Sequence, residues 1–454
     1  MARRRDHPGR PLSNAGWNGG RASGFASGGF AFTSCRVTYD EAIAHLRSLQ
    51  LHGFQPGLGT TRKLAALAGD PQERLRFIHV AGTNGKGSTC ALLESVYRKA
   101  GLKVGLYTSP HLVRFGERIQ VGRVPIADAD LARHVAELKA LADGLTPTFF
   151  EFTTVLALRY LAEQRVDLVI WETGLGGRLD ATNIVTPLAS VVTNVAFDHQ
   201  RVLGDTIAAI ASEKAGIIKP GVPVVTAAEE PDALAIIVHK AKELDAPVIT
   251  LGEPEIARFD TEIPLLGRHQ RANAALAAAT VRLLRFVLPV DDAQLREGLA
   301  GVSWPGRLQV VRRGAQTLVL DGAHNPAGIA ALRTALAEAF PGKRPTLVLG
   351  MLADKDWRAM AADLVPLASR VVTAPVGSER TVTAEDLRAA CVATGAGRPV
   401  KAAGSASAAL KLVAADPFVL VTGSLYFIGE VMEGLGIEGA RGDERSLNSW
   451  SPPR

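Results

Sequence analysis

From Tyr39 onward the chain alternates between two hydrophobic periods. Helical spacing, as in EAIAHLRSLQ at 41–50, gives way to short unbroken apolar runs and then returns. The runs at 77–80, 104–107, 167–171, 190–195, 222–226 and 248–251 predict six strands. A second series at 317–320, 346–349, 371–373 and 418–421 predicts four more, again separated by Ala/Leu-rich helical stretches. Strands buried on both faces lose the alternation of a half-exposed strand, so this pattern predicts parallel sheets with helices packed on each side. GVSWPGR at 301–307 carries one proline and two glycines, breaks the helical period and is the linker candidate between two α/β domains.

At 454 residues the chain exceeds the size at which one core stops growing, in agreement with two domains. No apolar run approaches the length of a membrane span, so no membrane partner is expected. Cys35, Cys90 and Cys391 lack metal spacing and even pairing, which predicts neither zinc nor disulfides and suits a reducing, cytoplasmic setting. Of the formal net charge of +6, residues 1–34 supply +4. The body is therefore nearly neutral, without the basic stripe that nucleic-acid binding requires. The Arg/Gly/Ser-rich opening at 1–34 reads as a disordered tail, with organelle targeting as the alternative reading of the same composition.

Candidate chemistry concentrates where strands end. FIHVAGTNGKGST runs from an apolar strand into a Gly-rich turn: Gly82, Thr83, Asn84, Gly85, Lys86, Gly87, Ser88 and Thr89. Glycines free backbone N–H groups to face phosphate oxygens, Lys86 reaches the terminal phosphates, and the hydroxyls open a helix whose N-terminus favours negative charge. The spacing is two residues shorter than the common phosphate loop, so it identifies ATP-type binding and leaves the reaction open. A triphosphate calls for Mg²⁺, and Ser109 in TSPHL, Glu172 after DLVIW and His199 in FDHQ follow strands and offer ligands. The alternatives are a turn-capping carboxylate and an interior histidine. Lys214 in SEKAG reads by itself as a solvated or paired helix lysine. Asp321 and His324 of DGAHNP follow another strand and suit a ribose or phosphate, or an Asx turn; Arg307 of the linker suits phosphate, or solvent.

The ordered strings GTNGKGST, TSPHL, FFEFTT, WETGLGGRLDATN, DHQRVLGDTIAAIASEKAGIIK, GRHQRANA, WPGR, DGAHNP and GSLY resemble bacterial folylpolyglutamate synthase/dihydrofolate synthase, a relative of the Mur ligases, from residue 39 to about 435. The resemblance implies a P-loop NTPase-like parallel-sheet ATPase and central domain at 35–300, the linker at 301–307, a smaller Rossmann-like α/β domain at 308–440, and a tail at 441–454. It implies an ATP-dependent amide ligase working through an acyl phosphate on dihydropteroate or tetrahydrofolate and L-glutamate, as a monomer. Asn273 would join Arg307 and Asp321 in the ATP site. Thr148, Phe149, Phe150, Glu151, Leu179, Asp180 and Ala181 would form the pterin-substrate pocket. Lys214, carbamylated, would become a ligand of a second Mg²⁺ beside the one held by Ser109, Glu172 and His199; Lys86, His199, Lys214, Asp321 and His324 would be catalytic. A Mur-type ligase of cell-wall precursors and a P-loop phosphotransferase remain the alternatives. The first would need a uridine-nucleotide-binding domain, for which residues 35–76 are too few.

Overall fold

The computed structural model describes residues 37–53, 55–259, 261–437, 439 and 444–448; the 1–34 extension, Cys35 and most of 441–454 lie outside these. Among the described residues fourteen strands form two sheets. In the first, β1 (Phe77–Ala81), β2 (Val104–Tyr107), β3 (Ile119–Val121), β4 (Val124–Pro125), β5 (Leu168–Glu172), β6 (Ala189–Val192), β7 (Val224–Thr226) and β8 (Val248–Thr250) run in the order β4-β3-β2-β5-β1-β6-β7-β8. In the second, β9 (Gln309–Arg313), β10 (Gln316–Leu320), β11 (Thr346–Leu349), β12 (Arg370–Thr373), β13 (Val400–Ala402) and β14 (Phe418–Thr422) run β13-β12-β11-β14-β10-β9.

All five residues of β1 and of β5 are buried, and the two strands pair in parallel with Phe77 opposite Val169. Their side chains alternate between two cores. Ile78, Val80, Leu168 and Ile170 meet the helices Lys86–Lys99, Arg268–Leu283 and Asp292–Ala300, while Phe77, Val169 and Trp171 meet Tyr39–Ser48, Asp128–Leu141 and Phe149–Glu163. Near-continuous apolarity in these strands is therefore the signature of helices on both faces. The second sheet is sandwiched likewise, with Leu318, Leu320, Val419 and Val421 on one side and Val319, Leu420 and Val371 on the other.

Both sheets carry antiparallel edges that the periodicity did not predict. β3 and β4 form a hairpin turned by Gly122 and Arg123, both at positive φ (57° and 71°), and β9 pairs antiparallel with β10. β4 is two exposed residues long and β9 is mostly exposed, so neither has a face to imprint on the sequence. β6 ends at Val192, three residues short of the apolar run. The continuation at 193–195 runs on beside the Gly-rich turn after β1, where the Thr193 N–H donates to the Ala81 carbonyl at 2.9 Å and its hydroxyl to the Asn84 carbonyl at 2.7 Å. Among the described residues no helix is long and apolar enough to cross a membrane.

Candidate active site between the two sheets

At the carboxyl end of β1 the chain must turn at once into the helix Lys86–Lys99, and backbone geometry dictates the glycines. Gly82 sits at φ 153° and Gly85, which caps the helix, at φ 83°. A methyl on Gly82 would lie 1.8 Å from Thr193 Oγ1, and one on Gly85 2.4 Å from Asn273 Oδ1. The loop is fastened from β6's continuation: Asn194 Oδ1 accepts from the Asn84 N–H at 2.8 Å, and the Thr83 hydroxyl donates to the Ala196 carbonyl at 3.1 Å. Ser88 and Thr89 at the helix start are buried, and among the described residues neither hydroxyl has a hydrogen-bond partner. Buried hydroxyls left open beside unpaired helix N-terminal N–H groups make a receptor for an anion and its counter-ion.

The loop opens into a cleft of about 460 Å³ walled by both domains. Of the residues singled out above, Gly82, Thr83, Asn84, Gly85, Lys86, Gly87, Ser88, Ser109, Glu172, His199, Lys214, Asn273, Arg307, Asp321 and His324 line it. Lys86 Nζ folds back onto the carbonyls of Gly82 and Thr83 at 3.1 and 3.2 Å. Lys214, 3 % exposed, donates to the same Gly82 carbonyl at 2.9 Å. Burial, with the Lys86 charge adding to it, lowers Lys214 to about 7. Glu172 Oε2 accepts from the Ser109 N–H at 3.1 Å; burial pushes its carboxyl up to about 7 against the pull of Lys86 and Arg307.

The second domain closes the cleft. Asp321 turns both oxygens inward, accepting from the N–H groups of Leu308 and Ala323 at 2.9 Å each, so it shapes the loop between linker and strand. Arg307 lies beside it, its Nη1 donating to the Gly306 carbonyl at 3.1 Å. His324 Nδ1 pairs with the Gly322 carbonyl at 2.8 Å, and its Nε2 stands 3.7 Å from Asp198; burial and Lys355 hold it down at about 4.

Three residues absent from the sequence reading join the halves. Asn325 Nδ2 donates to Asn84 Oδ1 and Asp198 Oδ2 at 3.0 Å each, and Lys355 Nζ binds Asp198 and lies 3.2 Å from His199 Nε2. Burial opposes ionisation of Asp198, but the Lys355 charge holds its carboxyl well below the carboxylate range. His199, at φ 52°, is held at about 3 by burial and then Lys355. Asp198 neighbours His199 in the sequence and Lys355 follows the run 346–349, so the placement of polar residues after strands is the signal that points to both.

The seven residues assigned to the pterin substrate do not line this cleft. Thr148 and Glu151 form a capping box at the start of helix Phe149–Glu163, at 2.8 and 3.3 Å, and Thr61 donates to Glu151 at 3.3 Å. Asp180 accepts from the Leu175 and Thr182 N–H groups at 2.7 and 3.0 Å, beside half-buried Leu179 and buried Ala181. Phe150 packs under Gly174, and Gly174, Leu175 and Gly176 do line the cleft, so Phe150, and Asp180 through its bond to Leu175, support its floor from behind. Phe149 faces Phe115 and the Arg118 guanidinium, 5.4 Å from its ring. Among the described residues no three His, Cys, Asp or Glu side chains converge as a metal cluster.

The chain carries the domains of a ligase of the Mur type. The Mur ligase middle domain matches residues 80–258 and the Mur ligase glutamate ligase domain residues 306–425. The dihydrofolate synthase/folylpolyglutamate synthase of Bacillus subtilis (strain 168) is 36 % identical over 428 residues, covering 88 % of this chain and 99 % of that protein. The folylpolyglutamate synthase of Mycobacterium tuberculosis, crystallised with ADP and AMPPCP, superposes with a TM-score of 0.81 at 31 % identity, covering 89 % of this chain and all of the other. Escherichia coli FolC in complex with DHPP and ADP gives 0.80 at 33 % identity over 88 % and 98 % of the two chains. The chain belongs to the dihydrofolate synthase/folylpolyglutamate synthase family.

Proposed function

We propose that this protein joins L-glutamate to a pterin-bearing carboxylate at the expense of ATP, making dihydrofolate from dihydropteroate and extending tetrahydrofolate with further glutamates. The observation that carries the reading is convergence: the phosphate loop, Glu172, Lys214, Arg307 and the 321–325 run, drawn from both domains, face one cleft. The family relatives and the nucleotide complexes of similar structures support it.

The chemistry follows from the parts. A carboxylate at neutral pH does not acylate an amine, so its oxygen attacks the γ-phosphorus of ATP; the P–O bond to ADP breaks and an acyl phosphate forms. Lys86 and Arg307 are placed to offset charge on the transferred phosphoryl group. The glutamate amine then attacks the acyl carbon, phosphate leaves, and the amine gives up a proton. No enzyme nucleophile is needed. Closure of the second domain over the cleft excludes the water that would hydrolyse the acyl phosphate.

The donors present suit Mg²⁺: the orphaned Ser88 hydroxyl, the Ser109 hydroxyl, the Glu172 carboxylate and the His199 imidazole are hard or borderline ligands. When bound, the ion supplies neutralisation of phosphate charge. Lys214 suits a carbamate, since only a neutral amine adds CO₂ and its environment lowers it to about 7. We assign the pterin pocket to the region of Thr148 to Glu151 and Leu179 to Ala181, ATP contact to Asn273, Arg307 and Asp321, and the protein to the cytoplasm as a monomer.

The test is ADP release by the purified full-length chain with ATP, Mg²⁺, dihydropteroate and L-glutamate. Release that depends on glutamate, with product mass increased by one glutamyl unit, is the expected result. Release without glutamate incorporation makes it a phosphotransferase or hydrolase, and activity only on a uridine-nucleotide acid restores the cell-wall alternative.

A further inference from the structure

Glu444–Asn448 form a short 3₁₀ turn that touches three separate parts of the fold. On the loop after β2, Glu444 Oε2 accepts from the Phe115 N–H at 2.6 Å and its carbonyl meets His111 Nε2 at 3.1 Å. Asn448 Oδ1 accepts from Arg118 Nη2 at 2.7 Å while its Nδ2 donates to the His111 carbonyl at 2.9 Å. Near the first helix, Arg47 Nε and Gln50 Nε2 donate to Ser446 at 3.1 and 3.0 Å. In the second domain, Tyr426 OH donates to the Asn448 carbonyl at 2.8 Å and Arg445 pairs with Glu433 at 3.0 Å. Glu444 and Leu447 are essentially inaccessible and Asn448 is 5 % exposed. A fraying end would not bury a carboxylate and an amide that both make side-chain hydrogen bonds to distant parts of the fold.

What this segment holds abuts the cleft, although it does not line the cleft itself. The loop it grips begins at Ser109 and Pro110, which do line the cleft, as does Tyr426. Arg118, fixed between Asn448 and His111 Nδ1 (2.8 Å), is the group stacked on Phe149. None of the contacts described reaches the phosphate loop or the 321–325 run.

We propose that Glu444–Asn448 is a positioning clasp: by fastening the 111–118 loop to Tyr426 across the domain boundary, it orders the wall on which the carboxylate substrate rests and so sets that substrate's affinity. The proposal rests on the ligase reading given above. It assigns the clasp no contact with reacting atoms.

The experiment compares the full chain with a truncation ending at residue 437 and with Asn448→Ala, which removes both side-chain bonds and leaves the backbone in place. KM for dihydropteroate should rise by about ten- to 100-fold, since a small misplacement of a positioning element costs on that order. KM for ATP and kcat should stay within about threefold. Amide exchange should accelerate at 112–115, and Asn448→Asp, which keeps the acceptor for Arg118, should fall between parent and Ala. An unchanged or lower KM for dihydropteroate in Asn448→Ala overturns the clasp. So does a rise shared equally by ATP with faster exchange throughout, which marks a general structural role. If the full chain shows no glutamate-dependent ADP release, the ligase reading fails instead, and the exchange comparison still decides whether the clasp orders the loop.

Discussion

Adding one methyl group to Gly82 should disable the phosphate loop, and the size of the effect can be assembled from the contacts. The new carbon would overlap Thr193 Oγ1 at 1.8 Å and crowd Thr193 Cβ and the Asn194 nitrogen at 3.1 and 3.3 Å. Thr193 cannot swing away freely, because its hydroxyl donates to the Asn84 carbonyl inside the loop at 2.7 Å. Overpacking costs about 1–3 kcal/mol, the surrendered hydrogen bond about 1, and an unfavourable backbone region at φ 153° about 1–3. The sum, roughly 3–7 kcal/mol, exceeds what a loop at a domain boundary holds in reserve, so residue 82 should move and take with it the carbonyl that Lys86 and Lys214 share. Gly221→Ala separates the terms: φ is also positive there, at 69°, but no atom lies within 4 Å. ADP affinity by calorimetry and thermal unfolding should fall sharply in Gly82→Ala and little in Gly221→Ala. Adding Thr193→Ala should return part of the loss, with a coupling above about 1 kcal/mol. Gly82→Ala that binds ADP within about threefold of parent and unfolds alongside Gly221→Ala would refute the steric reasoning.

Replacing Lys86 by Ala should lower turnover by at least about 100-fold with the fold intact by circular dichroism, as expected for one electrostatic stabiliser of the transferred phosphoryl group. Glu172→Gln should weaken Mg²⁺-dependent nucleotide binding, and the parent should show a pH dependence that the variant lacks. Burial raises the carboxyl to about 7, so affinity falls as pH drops below that value and levels off above it; titrations between pH 5.5 and 8.5 read both. Lys214→Ala should lose activity and regain part of it with added short carboxylic acids if a carbamate is the missing group; active enzyme with unmodified Lys214 by intact mass would count against it. His79, fully buried with Nε2 3.0 Å from Thr182 Oγ1, is pushed down to about 3 by burial and then Lys219. Above pH 6.5 it is neutral folded or unfolded and has no effect. Between 6.5 and 3 only the unfolded chain takes up the proton, so stability falls by about 1.4 kcal/mol per pH unit. The stability difference between His79→Gln and parent should therefore shift by about 2 kcal/mol in the variant's favour from pH 6.5 to 5 in chemical denaturation.

The central strands were legible because burial on both faces leaves mostly apolar letters in β1, β5 and β14, interrupted by His79, Glu172 and Thr422 alone. The Gly-rich turn was legible because a positive φ at Gly82 and Gly85 and a close approach at Gly87 admit almost no other residue. Sequence pattern weakens where a residue's meaning comes from an element distant in the chain. Asn84 and Asn325 are 241 positions apart, and nothing in either letter foretells their reciprocal hydrogen bonds. The same limit hid the value of Asp198 and Lys355, which become a pair only when the two sheets face each other. Thr148 and Glu151 show the converse. Their T-x-x-E spacing spells a capping box as clearly as it spells a ligand site, and in the fold their polar atoms are spent on the helix start. The two uses are compatible if the substrate touches the frame these residues stiffen, through Phe150 under Gly174 and Asp180 beneath Leu175. Glu151→Gln then separates them: it keeps the acceptor for the Thr148 N–H and the helix cap, so unfolding should change by less than about 1 kcal/mol. A rise in KM for dihydropteroate without a change in stability would place the carboxylate against the substrate, whereas loss of stability and affinity together would confine Glu151 to the frame.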